Sequence, residues 1–410
     1  MLEPAVRLKV ISRVKTIVIM HHFNIGNIDY ADWSRRVDEQ IPTLLRADDN
    51  VFEEGVRNLL SQLKSSHTNF YCSDTHPTIP QHTIGATLRS VTGIGAPRWM
   101  FLDVFDGSPA ACAGISSGHL LVAVNGTPAV PPSFPVFRFG QEHHVTVELP
   151  NEKETRNVVV TVPPRTPKGR RPPLVEPKSI SYRMLRNIGI LKIPFFPGAF
   201  GIRFSRLLDA AVESLKAQGC DRLIIDLRGC LGGSLGFARL ASYLCPGRIP
   251  IGYDVTRKRL QRGYNVAQFP RVTMPRAKLG VLFCLARFSV QDKSLVLLTQ
   301  GLGKQPFHGR VVVLVNEWTN SAGEMAAQFA KDTKLATVIG IQTGGNVLGS
   351  TMLNVGNGYQ LYLPIFGWYG PSGNCAEGSG VLPDIPVDID PDELAYGEDA
   401  QVKKALELLR

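Results

Sequence analysis

The spacing of apolar residues changes along this 410-residue chain. From residue 5 to residue 64 they recur at steps of three and four, which predicts amphipathic helices. From about residue 82 to residue 163, short β-type segments alternate with glycine, proline and an Asn125-Gly126 turn, which predicts strands joined by tight connections. We therefore expect an N-terminal helical region over residues 1–80 and a small β-rich domain over residues 81–163.

The second half of the chain has a different pattern. Residues 164–178 are rich in proline and basic side chains, which predicts a semi-rigid linker. Buried β-branched segments then alternate with helical runs over residues 179–395, which is typical of an α/β domain with a mainly parallel sheet. An Asn357-Gly358 pair predicts a hairpin added to that sheet. A C-terminal helix is expected over residues 396–410.

Composition narrows the class of protein. Apolar residues make up 44% of the chain and charged residues 20%, which is typical of a globular protein. No apolar run approaches the roughly 18 residues that a transmembrane helix needs. Basic side chains interrupt the N-terminal segment, so it lacks the apolar core of a signal peptide, and we expect a cytoplasmic location unless a leader precedes the chain. Seven cysteines without CxxC spacing predict reduced thiols and no disulfide framework.

The formal net charge is +10, from 45 Lys and Arg against 35 Asp and Glu. Such an excess attracts nucleic acid, acidic membranes or acidic peptides. The densest basic stretches, residues 165–178 and 257–262, contain no aromatic residues that would stack on bases, so we expect no nucleic-acid partner. The pairs His21-His22 and His143-His144 lack the partners and the spacing of a metal site, and we expect neither a metal nor another cofactor.

The strongest chemical signal lies in residues 311–330. They read as a buried strand, a short polar turn and a helix that begins at Ser321. A serine at such a turn projects from the sheet edge, and the amides that follow it can stabilise developing negative charge. Ser321 and Glu324 also match the capping box S-x-x-E, and on this segment alone the capping interpretation is favoured because the box is common.

Residues 224–240 show a similar arrangement of buried strand, glycines and helix. Gly232 and Gly233 can present backbone donors where a side chain would clash. The alternative interpretation is a tight turn with a structural role alone. A phosphate loop is weakly indicated, because no Gly-Lys-Ser/Thr follows.

Five segments, in this order, resemble the tail-specific (C-terminal processing) serine peptidase family. They are LKSSHTNF (63–70), DLRGCLGG (226–233), VNEWTNSAGEM (315–325), GIQTGGN (340–346) and AEGSGVLPDIPV (376–387). Residues 105–126 are similar to the PDZ pattern of these enzymes, with His119 where the family usually has Asp. The resemblance implies a PDZ-like domain over residues 81–163 and a catalytic α/β domain of ClpP/crotonase-like fold over residues 179–395.

The resemblance also implies the catalytic residues, with Ser321 as the nucleophile. Many members use a lysine base about 25 residues after the serine, in a GxKTxGK context, but Asn346 stands there in this sequence. The branch that resembles the tricorn protease core uses a histidine beside a second serine, and a glutamate in an EGxGVxPD run. Ser66, His67 and Glu377 occupy those positions. A neutral histidine, with a reference pKa of about 6.5, suits the role of base and predicts an acid limb of activity at about pH 6 to 7.

The implied function is hydrolysis of peptide bonds in protein or peptide substrates through an acyl-enzyme, with substrate C-termini engaged by the PDZ-like domain. Gly232 or Gly233, together with Ala322, are the expected oxyanion-hole donors. The alternative is a catalytically inactive ligand- or peptide-binding protein on the same fold. Such a binder would have no need to retain the full set of nucleophile, base and orienting residues.

Overall fold

The computed structural model describes residues 3–23, 28–72, 79–92, 96–150, 154–165, 174–198, 200–275, 280, 282, 294–304, 307 and 310–410. Part of the predicted linker, residues 166–173, and Cys284 lie outside these residues. Within the described part of the chain, no helix combines the length and the apolar character needed to cross a bilayer.

The described residues form helices and strands in the order that the apolar pattern predicts. The helices are α1 (Pro4–His21), α2 (Tyr30–Arg46), α3 (Asp49–Ser61), α4 (Pro80–Thr83), α5 (Pro109–Cys112), α6 (Ile202–Ala217), α7 (Phe237–Leu244), α8 (Arg257–Arg262), α9 (Ala322–Thr333), α10 (Pro391–Ala395) and α11 (Ala400–Leu409). The strands are β1 (Asn69–Cys72), β2 (Ala86–Val91), β3 (Arg98–Val104), β4 (Leu120–Val124), β5 (Thr127–Pro128), β6 (Glu142–Leu149), β7 (Glu154–Thr161), β8 (Ser181–Leu185), β9 (Ile188–Lys192), β10 (Arg222–Asp226), β11 (Pro250–Thr256), β12 (Arg271–Thr273), β13 (Val296–Leu298), β14 (Val311–Val315), β15 (Thr337–Gly340), β16 (Gly349–Gly356), β17 (Tyr359–Tyr369) and β18 (Ile385–Pro386).

A six-stranded sheet forms the centre of the C-terminal half, in the order β18-β15-β14-β10-β9-β8. All its pairings are parallel except that of β8 with β9. Alternate residues of β14 point to opposite faces: Val313 packs with α6, α7 and α9, and Leu314 packs with α11. Because both faces are covered, the strand is apolar throughout, and this explains the continuous Val and Leu run in the sequence.

A second sheet has the order β1-β17-β11-β13-β12, with β16 paired to β17. The Asn357-Gly358 hairpin forms between β16 and β17, with φ of 54° and 80° at its two central residues. The prediction that this hairpin joins the parallel sheet is wrong, because β17 pairs with β1 and β11 instead. The physical reason is packing: Leu361 and Leu363 of β17 share a buried cluster with α1, α2 and α3.

The N-terminal helices begin at side-chain caps. Asp29 accepts hydrogen bonds from two amides at the start of α2, and Asp48 accepts one from Val51 at the start of α3. Their apolar faces cover the second sheet. As a result, the turn between α3 and β1 lies beside β17. This turn is distant in sequence from the parallel sheet but close to it in space.

A third sheet, built from residues 86–161, is antiparallel and has the order β2-β3-β4-β6-β7, with β5 paired to β4. It has its own buried core, which includes Phe101 and Val145. Ion pairs join it to the C-terminal half: Arg89 to Glu317 at 2.7 Å, and Lys192 to Asp103 at 3.0 Å.

Candidate active site

Ser321 lies between β14 and α9, at the edge of the parallel sheet where the strands end. Its backbone has φ 52° and ψ −118°, a conformation that is uncommon for a residue other than glycine. The Ser321 N–H donates to the Asn346 carbonyl and to the Glu324 carboxylate, at 3.0 Å each. Backbone strain of this kind persists only where the surroundings hold it, which here are the hydrogen bonds from the adjoining segments.

Glu324 holds the segment 343–346 against Ser321. Its side chain is fully buried and accepts hydrogen bonds from the Thr343 hydroxyl at 2.5 Å and from the amides of Gly345 and Asn346 at 2.7 and 2.8 Å. Burial raises the pKa of Glu324, and these donors oppose that shift. The capping interpretation of Ser321 and Glu324 therefore captures one role of the glutamate, its bond to the Ser321 amide. The sequence did not indicate its second role as an anchor of the neighbouring loop.

His67 lies in the turn between α3 and β1 and has φ 56°. Its ring lies 5.9 Å from that of Tyr362 on β17, measured between centroids, and β1 pairs with β17 directly after the turn. Helix α3 ends at Ser61, so Ser66 lies within the turn. Burial lowers the pKa of His67 to about 4, so the ring is neutral at physiological pH.

Ser66 links His67 to Glu377. The Ser66 hydroxyl lies 2.9 Å from His67 Nδ1 and donates to Glu377 Oε2 at 2.8 Å. The Glu377 carboxylate also accepts from the Ser66 amide at 2.7 Å and from the Val347 amide at 3.1 Å. Glu377, which is distant in sequence from the adjacent Ser66 and His67, therefore completes one continuous chain of hydrogen bonds that ends at the imidazole.

Ser321 and His67 line the same cavity, which has a volume of about 400 Å³. Gly233 and Ala322 line it as well. A cavity with convergent polar groups and a histidine of perturbed pKa is the usual form of an enzyme site. The fold thus brings together residues from the N-terminal turn, from the glycine segment after β10 and from the start of α9.

The two glycines after β10 lie in different surroundings. A Cβ on Gly232 would lie 2.5 Å from the Ser321 Cβ, so only glycine fits against the serine, and the Gly232 amide interacts with the buried Cys230 sulfur. Gly233 has φ 130° and lies opposite Phe196 in a parallel bridge, in which the Phe196 N–H donates to the Gly232 carbonyl and the Ser234 N–H donates to the Phe196 carbonyl. Among the described residues, neither the Gly233 N–H nor the Ala322 N–H has a hydrogen-bond acceptor.

Lys331 and Lys334, which follow Ser321 in sequence, lie outside the cavity. Lys331 donates to the Leu382 carbonyl at 2.6 Å, almost three turns of α9 beyond Ser321, and Lys334 is exposed at the end of that helix. Asn346 uses its side-chain amide on Asn320 Oδ1 at 2.6 Å. No lysine of the described part of the chain lines the cavity.

A second buried histidine supports the His67 turn. His22 Nδ1 lies 2.8 Å from the Tyr30 hydroxyl, and His22 Nε2 lies 2.8 Å from the Ser65 hydroxyl, which in turn lies 2.8 Å from the Thr68 hydroxyl. Burial and the charge of Arg257 lower the pKa of His22 to about 4. The sequence indicated no role for His22 and placed Arg257 only within a densely basic stretch. The structure instead stacks its guanidinium 4.4 Å from the Tyr30 ring.

The sequence also missed three polar residues in the cavity: Asp254 on β11, Ser350 on β16 and Trp368 on β17. Asp254 interrupts an otherwise mostly apolar strand, and that interruption is the signal that could have identified it. The other two carry no such signal, because serine and tryptophan are ordinary in a half-buried strand.

Comparison with known proteins is consistent with this geometry. Residues 187–387 match the model of peptidase family S41. This match agrees with the resemblance to the tail-specific peptidases that the motifs indicated.

The individual relatives are distant. The chain is 26% identical to a protein named putative tricorn protease homolog 2 from Streptomyces coelicolor. The alignment extends over 417 residues and covers 92% of this chain and 30% of that protein. It is 22% identical to a probable CtpA-like serine protease from Staphylococcus epidermidis, over 92% of this chain and 70% of the relative. The solved photosystem II D1 C-terminal processing protease has the same fold, with a TM-score of 0.56 at 18% identity, over 97% of this chain and 98% of that one.

Proposed function

We propose that this protein hydrolyses peptide bonds through an acyl-enzyme, with Ser321 as the nucleophile and His67 as the general base. The observation that carries the proposal is the placement of Ser321 and His67 on one cavity, with the Ser66 and Glu377 chain of hydrogen bonds behind the imidazole. A serine hydroxyl becomes an effective nucleophile when a neutral base takes its proton. An orienting group holds that base in the correct tautomer and orientation.

The hydrogen bonds determine which nitrogen of His67 is basic. The Glu377 carboxylate can only accept, so the single proton of the Ser66 hydroxyl is donated to it. Ser66 must then accept from His67, which places the ring proton on Nδ1. The lone pair is left on Nε2, the nitrogen available to receive the Ser321 proton. After that transfer, Glu377 stabilises the imidazolium through Ser66.

Two amides supply the proposed oxyanion hole. The Gly233 and Ala322 N–H groups have no other acceptor in the described part of the chain, and both residues line the cavity with Ser321. Ala322 begins α9, so the positive end of that helix dipole also faces the developing oxyanion. Gly232 is the weaker candidate of the two glycines, because its amide is directed to Cys230.

We further propose that residues 81–163 form a PDZ-like domain that binds the substrate's C-terminal segment by strand addition, and that residues 179–395 form a ClpP/crotonase-like catalytic domain. The antiparallel sheet has β2 and β7 at its edges among the described strands, and unpaired edges accept an extended peptide. A peptide substrate with a free C-terminal carboxylate should therefore show a lower KM than the same peptide with a C-terminal amide.

Labelling with a fluorophosphonate tests the catalytic proposal. Wild-type protein should be labelled at Ser321, located by mass spectrometry, and should degrade an unfolded protein such as casein. Ser321→Ala should lose both properties while losing less than about 1 kcal/mol of stability, because the Glu324 bond to the backbone amide remains. Ser117→Ala, at an exposed serine, is the matched control and should behave as wild type. Casein degradation by Ser321→Ala, or absence of labelling in folded wild type, would favour the binding-protein alternative.

A further inference from the structure

The turn that carries His67 is strained at two positions. Lys64 has φ 47° and His67 has φ 56°, both in the left-handed region that residues with a side chain rarely adopt. Such conformations persist only where neighbouring structure holds them. Glu377 holds one side of Ser66, through the amide and the hydroxyl of that residue. The Ser66 carbonyl, which leads directly into His67, has no partner in that relay.

A second chain of hydrogen bonds ends at this carbonyl. Thr68 Oγ1 donates to the Ser66 carbonyl at 3.3 Å and lies 2.8 Å from Ser65 Oγ. Ser65 Oγ lies 2.8 Å from His22 Nε2, and His22 Nδ1 lies 2.8 Å from the Tyr30 hydroxyl. Four side chains, from the start of α2, from the residue that follows α1 and from the His67 turn, are therefore linked in series.

The acceptors determine the direction of this chain. A carbonyl oxygen can only accept, so Thr68 uses its single proton there and accepts from Ser65. Ser65 then accepts from His22, which places the His22 proton on Nε2. Nδ1 is left as an acceptor for the Tyr30 hydroxyl, which is closer to Nδ1 than to the His22 carbonyl at 3.1 Å. This arrangement needs a neutral ring, and burial and the charge of Arg257 lower the pKa of His22 to about 4.

The scaffold holds His22 in a fixed place. Its side chain is fully buried, and the amide of the next residue, Phe23, donates to the Pro364 carbonyl of β17 at 2.9 Å. The same strand carries Tyr362, whose ring lies beside His67. His22 is therefore tied to the strand against which the His67 turn lies, and it can transmit that fixed position to the turn.

We propose that His22 is a positioning residue for the peptidase reaction and acts through Ser65 and Thr68. Its chain of hydrogen bonds holds the Ser66 carbonyl, while the carboxylate of the proposed relay holds the amide and the hydroxyl. With Ser66 held on both sides, the His67 ring keeps its place on the cavity of the nucleophile. His22 does not line that cavity, so it acts on the reaction indirectly. This inference rests on the proposed peptidase function and adds a residue that positions its base.

The rate of fluorophosphonate labelling at Ser321 tests the inference without knowledge of the substrate. Thr68→Val removes one hydroxyl and keeps the branched shape of the side chain, and labelling should slow by roughly 10- to 100-fold, the scale for a displaced catalytic group. Thr68→Ser keeps the hydroxyl and should stay within about threefold of wild type. Thr333→Val is the matched control and should label at the wild-type rate, because Thr333 is also half-buried and donates to a backbone carbonyl.

Double variants separate positioning from a general loss of stability. In the His67→Ala background the ring to be positioned is absent, so Thr68→Val should change the labelling rate by less than about twofold. Ser65→Ala and His22→Phe break the same chain, so each should slow labelling as Thr68→Val does. Their double variant should label within about twofold of the slower single variant. Thermal unfolding checks that each variant is folded, and Ser65→Ala and Thr68→Val carry the test if His22→Phe does not fold.

Two results would overturn the inference. One is a wild-type labelling rate in folded Thr68→Val and Ser65→Ala, and the other is equal slowing by Thr68→Val with and without His67. The peptidase proposal survives either result if His67→Ala is itself slow. Wild-type protein that is not labelled at Ser321, or His67→Ala with an unchanged rate, would remove both the inference and the proposal of His67 as the base.

Discussion

The burial of His67 makes a sharp prediction about pH. If His67 is the base, the rate at which Ser321 reacts should follow the neutral fraction of the His67 imidazole. The pKa of that imidazole is about 4, well below the reference value. The acid limb of activity should therefore fall below the range of about pH 6 to 7 that an ordinary histidine implies. The cause is desolvation of the ring in the turn between α3 and β1.

The size of the effect follows from the two pKa values. At pH 5.5, an imidazole with a pKa of about 4 is about 97% neutral, whereas one with a pKa of about 6.5 is about 9% neutral. Between pH 7.5 and pH 5.5 the rate of an ordinary histidine would fall about tenfold. The rate here should change by less than about a factor of two over the same interval.

The assay is the rate of Ser321 labelling by a fluorophosphonate between pH 4 and pH 8, since it needs no knowledge of the substrate. Near-ultraviolet circular dichroism at each pH separates loss of reactivity from loss of folding. His67→Ala should be labelled several orders of magnitude more slowly at every pH, on the scale of removing a general base. A tenfold decline centred near pH 6.5 in folded protein would refute the argument that burial sets this pKa.

Further predictions concern the surroundings of the site. Glu377→Gln should lower kcat by about 100-fold or more with little change in KM, because the relay loses the charge that stabilises the imidazolium. Gly233→Ala should abolish activity and destabilise the fold, since its Cβ would lie 2.2 Å from the Phe196 carbonyl oxygen, as thermal unfolding would register. Burial holds the pKa of His22 at about 4, below its unfolded value, so the unfolded state binds more protons between about pH 4 and 6.5. The contribution of His22 to stability should therefore rise with pH through that window by up to about 3 kcal/mol and level off above it. In urea titrations, His22→Gln should remove this contribution and leave the rise that comes from His67. Lys331→Ala should leave kcat within about twofold of wild type, and a collapse of turnover in this variant would indicate a lysine base.

The sequence predicted the elements well where short-range pattern determines them. The Val and Leu run of residues 311–315 is a strand covered on both faces, and the helix after Ser321 begins where the polar turn ends. The Asn357-Gly358 hairpin also formed as expected, because its turn type depends on two residues with positive φ. Its assignment to a sheet was wrong, since that depends on which distant surface covers Leu361 and Leu363.

The site, too, has a part that the sequence indicated and a part that only the tertiary structure decided. Ser321 could be recognised locally as a residue at a strand-to-helix turn, and the family resemblance named His67, Ser66 and Glu377. Only the tertiary structure brings His67 to the cavity of Ser321, because the two residues are separated by more than half of the chain and their placement depends on the pairing of β1 with β17.

The sequence by itself thus determined the order of helices and strands, the placement of the serine and the family to which its motifs are related. These features follow from residue periodicity and turn chemistry, which act over a few residues. The tertiary structure alone decided that the imidazole is desolvated, that Glu324 anchors the loop beside Ser321, and that Asp254 lies in the same cavity. Those properties depend on which atoms surround a group, and desolvation and hydrogen bonding are set by neighbours that the chain supplies from distant positions.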